Sequence, residues 1–352
     1  MESLIKAWDG ESVIIRFDRS ANAWIFIAVH STRLGPAVGG TRMKSYSDLK
    51  EALRDAQRLA GGMTLKWAAA GIKYGGGKCV IAVPSDLDSQ GRTRLLRRYG
   101  AFVHQHNGLF YTGPDYGTSS EDMDIIAEAG APYIFGRTQA AGGAGNPGPF
   151  TALGVFISIK MAAERIFGEA ALVGKRVLVQ GVGSVGRELI KMLHEAGAKI
   201  LISDVDEAPI EYFKSKLGLK AVPPDTAYDE PCDIFVPCAV GGVLNKENIS
   251  SLKCQAIAGA ANNQLGDPED AISLRDRAIL YVPDFIANSG GAIAIIGMET
   301  SGWSQEEAEK RVTQTISENL SNIFELSETA GCSMDEAASL IADMRLTAQT
   351  PA

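Results

Sequence analysis

The fingerprint Gly181-Val182-Gly183-Ser184-Val185-Gly186 follows the apolar run Val177-Leu-Val-Gln180 and opens a stretch with helical spacing. Nothing else in the chain restricts the fold as much, because Gly-x-Gly-x-x-Gly is informative only as strand, tight turn and helix. In that frame Gly181 makes the turn and Gly183 admits a pyrophosphate to the backbone. Gly186 lets helix and strand pack closely, and the helix N-terminus attracts phosphate. The surroundings supply the rest of a doubly wound parallel unit. A helix is expected from about Thr151 to Ile166, strands at Arg176 to Gln180 and Ile200 to Ser203, a helix at Ser184 to Ala196, and further β segments near Asp233, Ala256 and Ile279.

Asp204 ends the second of these strands, eighteen residues past Gly186. A carboxylate there bonds ribose hydroxyls and repels a 2'-phosphate, which favours NAD over NADP. With 352 residues there is room for a second domain with its own core. The strongest break in composition, Gly142-Gly-Ala-Gly-Asn-Pro-Gly-Pro149, is the expected hinge. A net charge of −8 argues against a nucleic-acid partner, and the longest apolar runs fall far short of a bilayer span. Met1 to Asp9 lacks the basic start and apolar stretch of a secretory signal, so a cytoplasmic location is expected. Five scattered cysteines without Cys-x-x-Cys spacing read as reduced core thiols, and His104 and His106 point to different sides of a helix, so no metal is expected.

The first half carries the groups that could do chemistry. Ser12 to Phe17 and Trp24 to Val29 read as a β-hairpin, and Ser47 to Ala60 as a helix behind a serine cap. Gly75-Gly-Gly77 then reads as a turn that delivers Lys78 into an apolar strand beginning at Cys79. It is not a phosphate-binding loop, because Ile72 stands where that pattern needs glycine and Cys79 where it needs Ser or Thr. A strand at Leu109 to Thr112 ends at Gly113-Pro114-Asp115, which puts Asp115 on a loop, and Ser119 with Asp122 starts a helix in capping-box style. Taken by itself Lys78 could be a solvated surface charge, and Gly113-Pro114-Asp115 a plain turn.

In order and content these segments resemble the glutamate/leucine/phenylalanine/valine dehydrogenase family over nearly the whole chain. The motifs concerned are Gly39-Gly40-Thr-Arg-Met43, Met63-Thr-Leu-Lys66, Gly75-Gly-Gly-Lys78, Gly113-Pro-Asp115, Pro149-Phe-Thr151, the fingerprint, Pro237-Cys238-Ala239, Ala258-Gly-Ala-Ala-Asn262-Asn263 and Pro283-Asp-Phe-Ile-Ala-Asn288. The resemblance implies that Lys66, the Gly39 and Gly40 backbone and Asn262 hold a substrate carboxylate, and that Lys78 and Asp115 handle protons. It implies cofactor contacts from the fingerprint, Asp204, Thr151, Cys238, Ala239, Asn262 and Asn288, and a side-chain pocket at Val38, Met63, Ala69, Ala292 and Ile295. Ser289 stands where the family more often has alanine.

The fold expected is therefore α/β in two domains. Residues 1–141 form a substrate domain with a mixed sheet, residues 142–319 a Rossmann-type NAD domain, and helices from about 320 to 352 return to the first. The implied activity is NAD-dependent oxidative deamination of an apolar L-amino acid (phenylalanine, leucine or valine) to the 2-oxo acid and ammonia, with a homo-oligomer as the family habit. A tryptophan-selective enzyme of the same family is one alternative, and a non-catalytic NAD-binding sensor another. A hydroxy-acid dehydrogenase would need a histidine beside an arginine clamp, and the four histidines are poorly placed for that.

Overall fold

A computed structural model describes residues 2–348, which divide into two compact units. The first comprises the chain up to Asn146, residues 295–302 and the chain from Ala342. The second comprises residues 147–294 and 303–341.

The first unit is built on a five-stranded mixed sheet of order β1-β2-β4-β3-β5. Its strands are β1 (Ser12–Asp18), β2 (Ala23–Ser31), β3 (Ala37–Lys44), β4 (Gly75–Ala82) and β5 (Phe110–Pro114). The hairpin expected at the start is present, with β1 and β2 antiparallel and Asp18 opposite Ala23. β2 runs antiparallel to β4, while β3 lies parallel to both β4 and β5. Side chains alternate across the sheet. Ala37, Met43, Cys79, Ile81 and Phe110 enter one core with Leu95, Tyr99, Met123 and Ile126 of the helices Ser89–His104 and Ser120–Gly130. Phe26, Ala28, Val80 and Ala82 form another with Ala52, Leu53, Ala56 and Ala60 of the helix Leu49–Ala70.

Three local expectations are corrected. The cap of the long helix is Asp48, whose side chain accepts from Lys50 N, and the helix continues through Gly61-Gly62 to Ala70. It therefore carries Met63, Lys66 and Ala69. Gly39 and Gly40, a pair that by composition alone marks a loop, lie inside the central strand β3. Gly75 to Gly77 are not a turn either; they are the buried first three residues of β4. Packing requires the missing side chains, since a Cβ at Gly76 would lie 2.0 Å from Thr64 Oγ1 and one at Gly77 2.8 Å from the Phe110 ring.

The second unit has six parallel strands in the order β11-β10-β9-β6-β7-β8. They are β6 (Arg176–Gln180), β7 (Lys199–Ser203), β8 (Lys220–Ala221), β9 (Ile234–Pro237), β10 (Ala256–Ile257) and β11 (Leu280–Tyr281). Numbered within the unit, the order is 6-5-4-1-2-3, that of a doubly wound dinucleotide fold. β8 was not expected from the sequence; it is a two-residue edge beside β7. The glycines that open Gly290–Ser301 press against the start of Gly148–Phe167, where a Cβ at Gly290 would meet Phe150 O at 2.1 Å and one at Gly291 would meet Thr151 Oγ1 at 2.3 Å. The helix Gln305–Ala330 belongs to this unit, and it is only from Ala342 that the last helix joins the first, where Ala342 and Leu346 cluster with Ala68. The return expected from about residue 320 is thus confined to the end of the chain.

Two glycine replacements should separate packing from propensity. Gly76→Ala should cost about 2–4 kcal/mol, because its Cβ meets helix backbone as well as Thr64. Gly61→Ala should stabilise by about 0.5–1 kcal/mol, because its Cβ meets only the His30 ring, at 3.7 Å, in a helix interior. Urea denaturation of both variants checks this, and equal stabilities would contradict the packing account.

Candidate active site

In the first unit the strand register sets the site. Val38 pairs with Gly76 and Tyr111, and Gly40 with Gly113, so Val38, Gly40 and Arg42 share a sheet face with Gly76 and Lys78. The ladder between β3 and β4 is interrupted at Gly39 and Gly40, opposite Gly77 and Lys78, and resumes at Thr41 with Cys79. Both glycines stay paired on their other side with β5, at Thr112 and Gly113. A Cβ at Gly39 would lie 1.7 Å from Gly77 O, and one at Gly40 2.8 Å from the Asp115 Cβ, so neither position accepts a side chain.

Lys78 is 3% exposed, and its Nζ lies 3.0 Å from Asp115 Oδ2. Arg42 Nε donates to the same oxygen at 2.9 Å, while Arg42 Nη1 reaches the Asp55 carboxylate at 3.0 and 3.3 Å. Tyr46 Oη donates to Asp55 at 2.7 Å, and Arg58 adds a contact at 3.2 Å. Asp115 sits immediately after β5, held by a turn in which Thr118 N donates to Asp115 O and Asp115 N to Thr118 Oγ1. Gly117, at φ +80°, closes that turn against Met43 O.

Burial works against both charges. It pushes the Lys78 ammonium down, with Arg42 adding to the effect, and the attraction of Asp115 does not fully restore it. Burial would raise the Asp115 carboxyl, but Lys78 and Arg42 outweigh it and hold that group well below the usual carboxylate range. The arrangement sets a lysine whose proton affinity burial lowers beside a carboxylate that stays ionised, so that once deprotonated the lysine can accept a proton and have the resulting cation stabilised.

The other substrate residues fall on two units. Lys66 is buried at 8% exposure on the helix Leu49–Ala70, where Trp67 Nε1 donates to Val38 O at 3.0 Å and ties the helix to β3. Met63 Cγ would lie 3.3 Å from a Cβ at Gly39. Ala69 ends the same helix, and its carbonyl accepts from Arg345. Ala292 and Ile295 lie on Gly290–Ser301, the former in the second unit and the latter in the first.

In the second unit the cofactor candidates gather at the carboxyl ends of the parallel strands, where doubly wound sheets bind ligands. Gly181, at φ +102°, follows β6, and a Cβ there would lie 2.6 Å from Ala239 N, which places Cys238 and Ala239 beside it. Gly183 caps the helix Ser184–Glu195 without a side-chain bond and has open space before it, while a Cβ at Gly186 would meet Gly181 O at 2.1 Å. Val182 N donates to Asp204 Oδ2 at 2.5 Å, joining the fingerprint to the end of β7. Asn288 Nδ2 donates to Asn262 Oδ1 at 2.9 Å and to Ala260 O at 3.1 Å. Asn288 Oδ1 is buried without a partner among the described residues. Thr151 Oγ1 donates to Pro147 O at 3.1 Å. An uncapped helix end, a glycine with no atom before it and an unsatisfied amide oxygen fit a bound dinucleotide.

Sequence inspection missed Arg42 and Asp55 as parts of the site. The available signal was the alternation of Arg42 with Gly40 along one strand, hidden because that stretch read as loop.

A dinucleotide fold in one chain with a buried lysine–carboxylate pair fits the class of NAD(P)-dependent dehydrogenases. Residues 18–130 match the Glu/Leu/Phe/Val dehydrogenase dimerisation domain, and residues 142–208 and 202–351 match the Glutamate/Leucine/Phenylalanine/Valine dehydrogenase domain. The chain belongs to this family. It is 40% identical over 342 residues to the leucine dehydrogenase of Thermoactinomyces intermedius, covering 97% of this chain and 92% of that one. Over 290 residues it is 41% identical to the phenylalanine dehydrogenase of Lysinibacillus sphaericus, covering 81% and 75%. The crystal structure of L-tryptophan dehydrogenase from Nostoc punctiforme superposes with a TM-score of 0.78 at 37% identity, covering 99% of both chains.

The ion pair predicts a pH-dependent stability difference. Asp115 is depressed below its ordinary value of 3.8, so its stabilisation is fully present above that pH and is lost as pH falls through the folded value. Asp115→Asn should cost about 3 kcal/mol at pH 7, leaving Lys78 and Arg42 without their shared partner. The gap from wild type should narrow below pH 4, where the unfolded carboxyl takes up a proton while the native one stays ionised, and close only as pH falls through the lower folded value. Urea melts at the two pH values measure this, and an unchanging gap would contradict it.

Proposed function

We propose that the protein catalyses the NAD-dependent oxidative deamination of an apolar L-amino acid (leucine, phenylalanine or valine) to its 2-oxo acid, ammonia and NADH, and the reverse reductive amination. The observation that carries this reading is the buried Lys78–Asp115 pair at 3.0 Å. Neutral Lys78 takes a proton from the substrate ammonium, and Asp115 remains charged to steady the lysinium formed. Bound NAD supplies the acceptor for the hydride that leaves Cα. Water adds to the resulting iminium carbon and its proton passes to Asp115, because Lys78 already holds the one taken from the ammonium; Asp115 returns it to the amine nitrogen and takes the hydroxyl proton. Lysinium stabilises the carbinolamine oxygen while ammonia departs as the C–N bond breaks.

Lys66 and the Gly39 and Gly40 backbone hold the substrate carboxylate in this reading, and orientation supplies much of the rate. Asn262 assists: its Oδ1 is engaged by Asn288, which leaves Nδ2 to donate. The contacts of Gly181 to Gly186 and Asp204 support a pyrophosphate on the helix end and ribose hydroxyls on the carboxylate, and so NAD over NADP. Val38, Met63, Ala69, Ala292 and Ile295 would receive the side chain. All are apolar, so a glutamate carboxylate would be desolvated there without a partner. Relatives named for leucine, phenylalanine and tryptophan stand at 40–41% identity, so a tryptophan-selective enzyme is the alternative within the same reading. We further infer a homo-oligomer located in the cytoplasm.

NADH absorbance with NAD and separate L-leucine, L-phenylalanine, L-valine, L-tryptophan and L-glutamate tests the proposal. Turnover is expected on apolar amino acids and not on glutamate, with Lys78→Ala lowering kcat by about 10²–10⁴-fold. No turnover on any of the five despite NAD binding would favour a sensor. For the cofactor, Asp204→Ser should raise the NADP to NAD ratio of kcat/KM at least about tenfold. An unchanged ratio would remove Asp204 from cofactor selection.

A further inference from the structure

Arg42 binds two carboxylates at once. Its Nε takes Asp115 Oδ2, the same oxygen that Lys78 approaches, and its Nη1 takes Asp55. Both cations thus approach Oδ2 of Asp115. Asp55 is fixed in turn by Tyr46 and Arg58, so the guanidinium is anchored from the far side. The charged and titratable groups facing Arg42 are Tyr46 after β3, Asp55 and Arg58 on the helix Leu49–Ala70, Lys78 on β4 and Asp115 after β5. A lysine at position 42 could satisfy one carboxylate and not the pair.

We propose that Arg42 is a positioning residue, its bridge from Asp55 to Asp115 engaging Oδ2 and turning Oδ1 to the reacting molecule. This rests on the deamination reading above. The arrangement has a sign that packing alone does not have. Arg42 lowers the affinity of Lys78 for a proton and Asp55 raises it, so removing one or the other should move the lysine in opposite directions.

The experiment compares wild type with Arg42→Gln, Arg42→Lys and Asp55→Asn, measuring kcat and KM for the best amino acid with NAD from pH 7 to 11. The rate rises with pH as Lys78 becomes neutral. In Arg42→Gln that limb should move up by about one pH unit, with kcat reduced about 10–100-fold and KM nearly unchanged. In Asp55→Asn it should move down. Arg42→Lys should keep the limb near the wild-type position and still lose kcat, because charge is retained and the bridge is not. Unmoved limbs in both Arg42→Gln and Asp55→Asn would overturn the proposal, as would a rise in KM at unchanged kcat. Titration of Lys78 by NMR in ε-13C-lysine-labelled protein needs no turnover. It keeps the opposite shifts testable if the wild type deaminates nothing, a result that would end the deamination reading on its own. Should Arg42→Gln not fold, Arg42→Lys and Asp55→Asn carry the comparison.

Discussion

A lysine with 3% of its surface exposed is the constraint around which the first unit is arranged. Removing an ammonium from water costs several kcal/mol even after relaxation, and an unpaired one would shed its proton or unfold its surroundings. Asp115 offsets part of that cost at 3.0 Å, but a carboxylate brought indoors needs support of its own, and Arg42 provides it. The chain of charges ends at Asp55, Tyr46 and Arg58, where side chains reach the surface again. Each member is stable only because the next is present. The balance leaves the lysine depressed and the carboxylate ionised, which is the pairing that proton transfer from an ammonium requires.

The glycines follow from the same constraint. For Lys78 to sit in the sheet interior, the helix Leu49–Ala70 must approach β4 closely, and Gly76 removes the Cβ that would strike Thr64. For Asp115 to reach it, Gly40 must leave room beside the Asp115 Cβ, and Gly39 must clear Gly77 O. These residues are poor strand formers, and their cost in propensity is modest beside the steric gain. The second unit meets a different need. At its fingerprint a bare helix end and backbone N–H groups present partial charge, which suits a ligand that brings its own negative charge.

Much of this was legible in the chain. Gly181, Gly183 and Gly186 could be read because their pattern has one steric solution, and the structure gives each glycine a different surrounding. Asp115 could be placed on a loop because Gly113-Pro114 stops a strand. β3 was not legible, since Gly39-Gly40 interrupts any run of strand formers, and the ladder that makes it a strand comes from β4 and β5, distant in sequence. The same blindness hid Arg42, whose partners lie 13 and 73 residues away. The extent of the helix Leu49–Ala70 was obscured by Gly61-Gly62, where tertiary packing overrides a local preference of about 1 kcal/mol per residue.

Selection among substrates follows an asymmetry in the same energetics. Excluding a charged side chain from an apolar pocket is strongly enforced, because an unpaired carboxylate would lose its hydration without compensation. Choosing among apolar side chains is weakly enforced, since one methylene is worth about 1–3 kcal/mol. Relatives named for leucine and tryptophan accordingly stand at the same 40% identity to this chain, because identity averages over more than 330 aligned positions while side-chain choice rests on a handful. In the proposed reading Lys78 and Asp115 set the reaction through charge, and the fingerprint glycines admit the cofactor by leaving it room. Changes in size at positions such as Val38 and Met63 would, in the same reading, move preference from one apolar amino acid to another without disturbing the ion pair.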